Sequence, residues 1–220
     1  MTLPLIDKQD TFEIVRDEIA AILATEIASQ EALAAGEPDP TLWKLRVFLE
    51  ATNPWEQFQE NLPVDTSPIV NVWYDNSSFD MGSGNTVESQ TAEAIYNIDC
   101  YGLGVSSDDG AGGHNLGDRE AAFTVHRALR LVRNILMAAE YTYLGLRKTV
   151  YRRWVQSVTV FQPQIDNQAA QNIAGARLAL RVRFGEFSPQ VTGEILELIS
   201  VTVRRTEDGE IVILADYDHT

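Results

Sequence analysis

Phe12, Val15, Ile19, Ile22, Leu23 and Ile27 recur three and four residues apart, the spacing of one helical face. Asp10 and Thr11 can cap that helix, and Gly36 with Pro38 ends it, so the pattern predicts an N-terminal helix over about 11–35. From Trp43 to Leu49 apolar and basic positions alternate, which predicts a half-buried strand. The stretch 52–68, with Pro54, Pro63 and Pro68, reads as a connection, and Ile69–Tyr74 as a strand. A polar, glycine-bearing excursion over 75–90 precedes a strand near Thr91–Gly102, where Ala94, Tyr96, Ile98 and Cys100 share a face. The segment 102–117 carries six glycines and few apolar anchors; it and 75–90 are expected to be mobile loops.

The longest helix is predicted at about 118–141, capped by Asp118, with Ala122, Val125, Leu129, Val132, Leu136 and Ala139 as its apolar stripe. Beyond it come strands at Arg152–Phe161, Ile173–Phe187 and Glu194–Arg205. A turn at Thr206–Gly209 then leads to a last strand, Glu210–Leu214. In Arg177–Phe184 the alternation is sharp, with Leu178, Leu180, Val182 and Phe184 on one face and Arg177, Ala179, Arg181 and Arg183 on the other. The expected fold class is α+β: a mixed, mainly antiparallel sheet packed by the N-terminal helix and one long helix, with a C-terminal β-hairpin. The 220 residues are read as a single domain, 1–220.

Charge changes this picture. Seventeen Lys and Arg against 32 Asp and Glu leave a net −15, which disfavours sequence-specific nucleic-acid binding or an anionic membrane. Residues 1–100 hold 18 acids and 4 bases, net −14, whereas 101–220 hold 14 acids and 13 bases, net −1. Within the second part, Arg119–Arg153 carries eight bases and two acids, a local +6. Arg119, His126, Arg130 and Arg133 form a basic stripe on the long helix, which suits an acidic neighbour. Met1–Asp10 lacks a basic start and an apolar core, and no run approaches the ~18 apolar residues of a membrane span, so a soluble chain made in the cytoplasm is expected.

Candidate chemistry is sparse. The single cysteine, Cys100, lies in an apolar run and reads as a buried, reduced thiol. The glycine-rich stretch ends in Asp118–Arg119, where a phosphate loop needs Lys and a hydroxyl. Asp108, Asp109 and Gly110 lack the ligand spacing of a calcium loop, and His114, His126 and His219 lack metal-ligand spacing. Asp75, Asp80 and Asp99 could pair as hydrolytic carboxylates only if their strands adjoin, and Trp73, Tyr74 and Phe79 could form a stacking platform or core. No catalytic residue, cofactor or metal is expected.

The helix TFEIVRDEIAAILATEI, the strand AIYNIDCYG, the long helix DREAAFTVHRALRLVRNILMAAEY and the strand pattern NIAGARLALRVRF follow in an order that resembles the tail terminators and neck (tail-completion) proteins of tailed bacteriophages. The likeness spans about Thr11 to Leu214. It implies a non-enzymatic virion protein, assembled in the host cytoplasm, that forms a homo-oligomeric ring, a hexamer. The ring would cap the tail tube protein and join it to the head–tail connector or neck, contacting the sheath where the tail is contractile. A neck stopper or adaptor and a tail-tube or baseplate protein are the alternatives, with a carboxylate- or metal-dependent hydrolase further off. The charge layout suits head-to-tail contact between protomers. The expected inter-protomer residues are Arg119, Arg127, Arg130, Arg133, Arg177, Arg181 and Arg183.

Overall fold

The structure, a computed structural model, describes residues 9–60, 65–82, 89–108, 114–163, 172–187, 199–205 and 211–217. Helix α1 spans Thr11–Leu33 and ends in a 3-10 turn at Ala34–Gly36. Glu13 reaches back to accept from the Asp10 backbone N–H at 2.9 Å, one of the donors a helix start leaves unmet. A 3-10 turn at Pro40–Trp43 leads to β1 (Arg46–Leu49), and the 52–68 connection contains a short helix, α2 (Gln57–Glu60). The long strands β2 (Ile69–Phe79) and β3 (Ser89–Leu103) follow. After the two-residue pair β4 (Ser107–Asp108) and β5 (His114–Asn115) come α3 (Gly117–Leu136), β6 (Val150–Phe161) and β7 (Ile173–Phe187).

Five strands make one sheet in the order β1-β2-β3-β7-β6, parallel only between β1 and β2. Both long helices cover one face, so the α+β expectation holds. Val15, Ile19, Leu23 and Ile27 of α1 and Val132 and Leu136 of α3 enclose Val70, Val72, Tyr96, Ile98, Cys100, Leu178, Leu180 and Val182 in a single core. The α1 stripe is the predicted one. On α3 the buried row is Ala121, Val125, Ala128, Val132, Ile135 and Leu136, one position from the expected Ala122 and Leu129.

Chain packing separates two compact units, Asp7–Ser188 and a smaller one containing the C-terminal hairpin. The hairpin pairs β8 (Ile199–Arg205) with β9 (Ile211–Tyr217), and the predicted turn at 206–209 lies outside the described residues. Among the described residues no helix is long and apolar enough to cross a membrane.

Several boundaries differ from expectation. Residues 75–79 and 89–90, read as a mobile excursion, belong to β2 and β3, and 83–88 lie outside the described residues. Apart from Phe79 these residues are polar and carry no periodic signal, but all except Asp75, which sits at a bulge, pair across the sheet, Phe79 with Ala92 and Ser89 with Phe187. The start of 102–117 is likewise structured, while 109–113 lie outside the described residues. Its glycines serve close approach: a Cβ on Gly104 would stand 1.9 Å from the Gly117 carbonyl oxygen, and one on Gly102 would stand 2.9 Å from Val125. α3 therefore starts against bare backbone, at Gly117 with Leu116 as its flanking residue rather than Asp118. It stops at Leu136, short of 141, and a separate 3-10 turn holds Ala139–Tyr141.

The end of α3 has a dedicated partner. The Arg153 guanidinium on β6 donates to the carbonyls of Leu136 (2.7 Å), Ala138 (2.7 Å) and Thr142 (3.2 Å), meeting acceptors that a helix C-terminus leaves open. Arg153→Met is expected to lower unfolding stability by about 2 kcal/mol in urea titration, with Arg153→Lys recovering less than half, because an ammonium cannot fork across three carbonyls. Gly104→Ala is expected to cost about 1–3 kcal/mol by the same measurement, since the α3 N-terminus must move.

Candidate functional site

Among the described residues the second face of the sheet carries no long helix. Period two sends alternate residues there: Asn71 and Trp73 from β2, Asp99 and Tyr101 from β3, Arg177, Arg181 and Arg183 from β7. Register places Asp99 directly opposite Arg177. The buried carboxylate accepts from Arg177 Nε at 2.7 Å and Nη2 at 2.9 Å, and from the Trp73 indole at 2.9 Å. The guanidinium lies over the rings of Trp73 (4.7 Å) and Phe161 (5.6 Å). The Asp99 hydrogen bonds raise the Arg177 pKa against desolvation.

At one end of this face Phe58, Ile69, Tyr101 and Ile173 form a small second core with Trp55 and Phe161 beside it. Between it and the ion pair opens a pocket of about 480 Å³, with Glu50, Thr52 and Gln162 at its polar positions. The Asn71 amide closes one wall by donating to the Ala51 carbonyl and accepting from the Ala51 N–H. Glu50 adopts a left-handed backbone, φ 51°, while its carboxylate accepts from the Tyr74 N–H and from Arg16. The sequence reading missed this constellation. Its one visible signal was the presence of Asn71 and Asp99 inside apolar strand runs.

The other expected site residues separate into two groups. Arg177, Arg181 and Arg183, expected at a protomer boundary, all pair within the chain: with Asp99, with Glu93 at 3.4 Å and with Asp80 at 3.6 Å. Arg119, Arg127, Arg130 and Arg133 line the outer side of α3, where the described residues supply no ion pair to any of them. Arg119 lies over the ring of Phe123, which is 62% exposed. Arg127 is half-buried; desolvation lowers its pKa, and its Nε is buried without a hydrogen-bond acceptor. A pocket of about 400 Å³ opens between Leu116, Phe123 and these two arginines.

The candidate reactive groups do not converge. Cys100 is fully buried on the helix-covered face, and burial, with the Asp99 charge second, pushes its thiol well above the ordinary range. Asp99 is committed to Arg177 and Asp80 to Arg183, while Asp75 is exposed at a β-bulge in β2. Tyr74 packs on the opposite face from Trp73, against Phe12 and Tyr96, and Phe79 is exposed, so the three aromatics form no common platform. His126 is exposed on α3, the His114 side chain and His219 lie outside the described residues, and among the described residues no group of three potential metal ligands occurs. Compared with known proteins, the chain matches no family model, and a search of curated proteins finds no relative.

A double-mutant cycle on Asp99→Asn and Arg177→Met is expected to give a coupling of about 1–3 kcal/mol in urea unfolding, because each single change leaves a desolvated partner. Additive losses would show that the pair is only incidental to the sheet.

Proposed function

We propose that the protein is a ring-forming structural component of a tailed-phage virion, a tail terminator that caps the tail tube and joins it to the neck. The observation that carries this reading is the outer side of α3, four arginines without ion pairs among the described residues, on a chain of net −15. A basic strip on an acidic protein is complementary to another copy of itself, and repeated head-to-tail contact of that kind closes into a ring. The element order is consistent with the same reading: an N-terminal helix, three strands of the sheet, a long helix, two more strands and a terminal hairpin follow in the order by which the sequence resembles phage tail-completion proteins. Its place is the virion tail or neck, with the tube protein below and the connector above.

The test has two parts. Arg130→Glu with Arg133→Glu is expected to weaken assembly about tenfold per contact in native mass measurements. Added salt should weaken the wild-type ring, because it screens attraction over ~8 Å at physiological ionic strength, and should partly restore the variant, because it screens repulsion. Particles made without the protein should carry tails of uncontrolled length or tails unjoined to heads. Normal tails in its absence, or assembly indifferent to both charge and salt, would overturn the reading.

A further inference from the structure

Both edges of the five-stranded sheet are open among the described residues: β1 at one side and β6 at the other. An open edge presents unpaired backbone N–H and C=O groups, a template for another strand. The strand directions match across copies. β1 and β2 run parallel, β3 runs against them, β7 runs with them and β6 against, so β6 and β1 point in opposite directions. Two copies placed side by side in the same orientation would bring β6 of one beside β1 of the next as an antiparallel pair.

Three of the apolar residues left uncovered at the two edges lie on the same face. Val158 and Val160 of β6 stand beside Leu178 and Ala176, on the helix-covered face, yet are 46% and 63% exposed. Leu49 of β1 stands beside Val72 on that face and is 43% exposed, and Val47 is two residues before it. Lengths agree as well. β6 breaks register at Val150/Arg152 and Val155/Ser157, which leaves Ser157–Phe161 as its uninterrupted terminal stretch, against the four residues of β1. The sides are also opposite in charge: residues 9–50, which build α1 and β1, carry nine acids and three bases, whereas Arg119–Arg153, which holds most of α3 and the start of β6, carries the local +6.

We infer that β6 of one copy accepts β1 of the next copy as an antiparallel strand, with Leu49 opposite Val158 and Val47 opposite Val160, so that the sheet continues from copy to copy. This register pairs apolar residues on the helix-covered face, places Phe48 against Thr159 on the other, and keeps Arg46 away from Arg152 and Arg153. The ring reading above is needed for closure, and the pairing defines which edges close it.

The test is disulfide trapping in the full chain, Leu49→Cys with Val158→Cys, at two exposed positions; native Cys100 is fully buried. Oxidation is expected to give a reducible ladder of covalent oligomers ending at the mass of the closed ring, with no crosslink from either single-cysteine variant. Val160→Lys, also at an exposed position, is expected to retain the wild-type circular dichroism and urea midpoint while weakening assembly about tenfold. Covalent dimers from Val158→Cys alone would mean that two β6 edges meet and would overturn the inference. A ring in native mass without the ladder would overturn this pairing and leave the ring reading standing. A chain that stays monomeric at every concentration would overturn both.

Discussion

The ladder between β3 and β7 is the constraint on which the rest of the main unit depends. Fifteen consecutive pairs, from Ser89 opposite Phe187 to Leu103 opposite Ile173, run without a register break through the middle of the sheet. Because the side-chain period is two, that one register sends Tyr96, Ile98, Cys100, Leu178 and Leu180 under the helices and Asp99, Tyr101 and Arg177 to the other face. A slip of one residue would drive the Asp99 carboxylate among aliphatic side chains and strand the guanidinium. The apolar core and the ion pair therefore select the same register from opposite faces, and removing either would loosen the specification of both.

What was legible in the sequence follows from which signals are local. α1 could be read because its buried residues keep helical spacing and Gly36 ends it. β7 could be read because Leu178, Leu180 and Val182 alternate with Arg177, Arg181 and Arg183. The ends of β2 and β3 could not, since residues such as Asn76, Ser77 and Ser78 offer no contrast between faces and become strand only through their partners on β3. The glycines of 102–117 were ambiguous for a different reason. Glycine marks either freedom or crowding, and only the approach of α3 to Gly102 and Gly104 shows crowding. The open-face site needed three separate strands in register, so its ion pair, indole and amide were invisible as a group.

The 52–68 connection makes the same point in reverse. Pro54, Pro63 and Pro68 announce a break in regular structure, but Pro54 opens a 3-10 turn, Pro54–Glu56, that leads into α2, and 61–64 lie outside the described residues. Yet Phe58, in a four-residue helix with no periodic context, is fully buried beneath the sheet's second face against Ile69, Tyr101 and Ile173. It closes one end of a face that would otherwise be open along its length, and Arg46 lies over its ring at 5.2 Å. A connection rich in proline thus supplies the buried aromatic of the small second core, and its Thr52 and Trp55 line the pocket beside Arg177.

Open edges expose a folded chain to pairing in the wrong register, and the charge distribution bears on how that is avoided. A net −15 makes two copies repel at most orientations, at a range of ~8 Å in physiological salt. In the inferred pairing, an approach that brings the arginine side of one copy toward the acidic side of another would lower that barrier, so orientation would be selected before any backbone contact forms. The edges then act at short range: β1 is four residues long and β6 is bent by two register breaks, so neither offers a flat template to an arbitrary strand. Under that inference charge would discriminate between approaches, and the apolar row of Leu49, Val158 and Val160 would discriminate between registers. Because the first is screened by salt and the second is not, raising ionic strength would weaken the selection among approaches while leaving the inferred register unchanged.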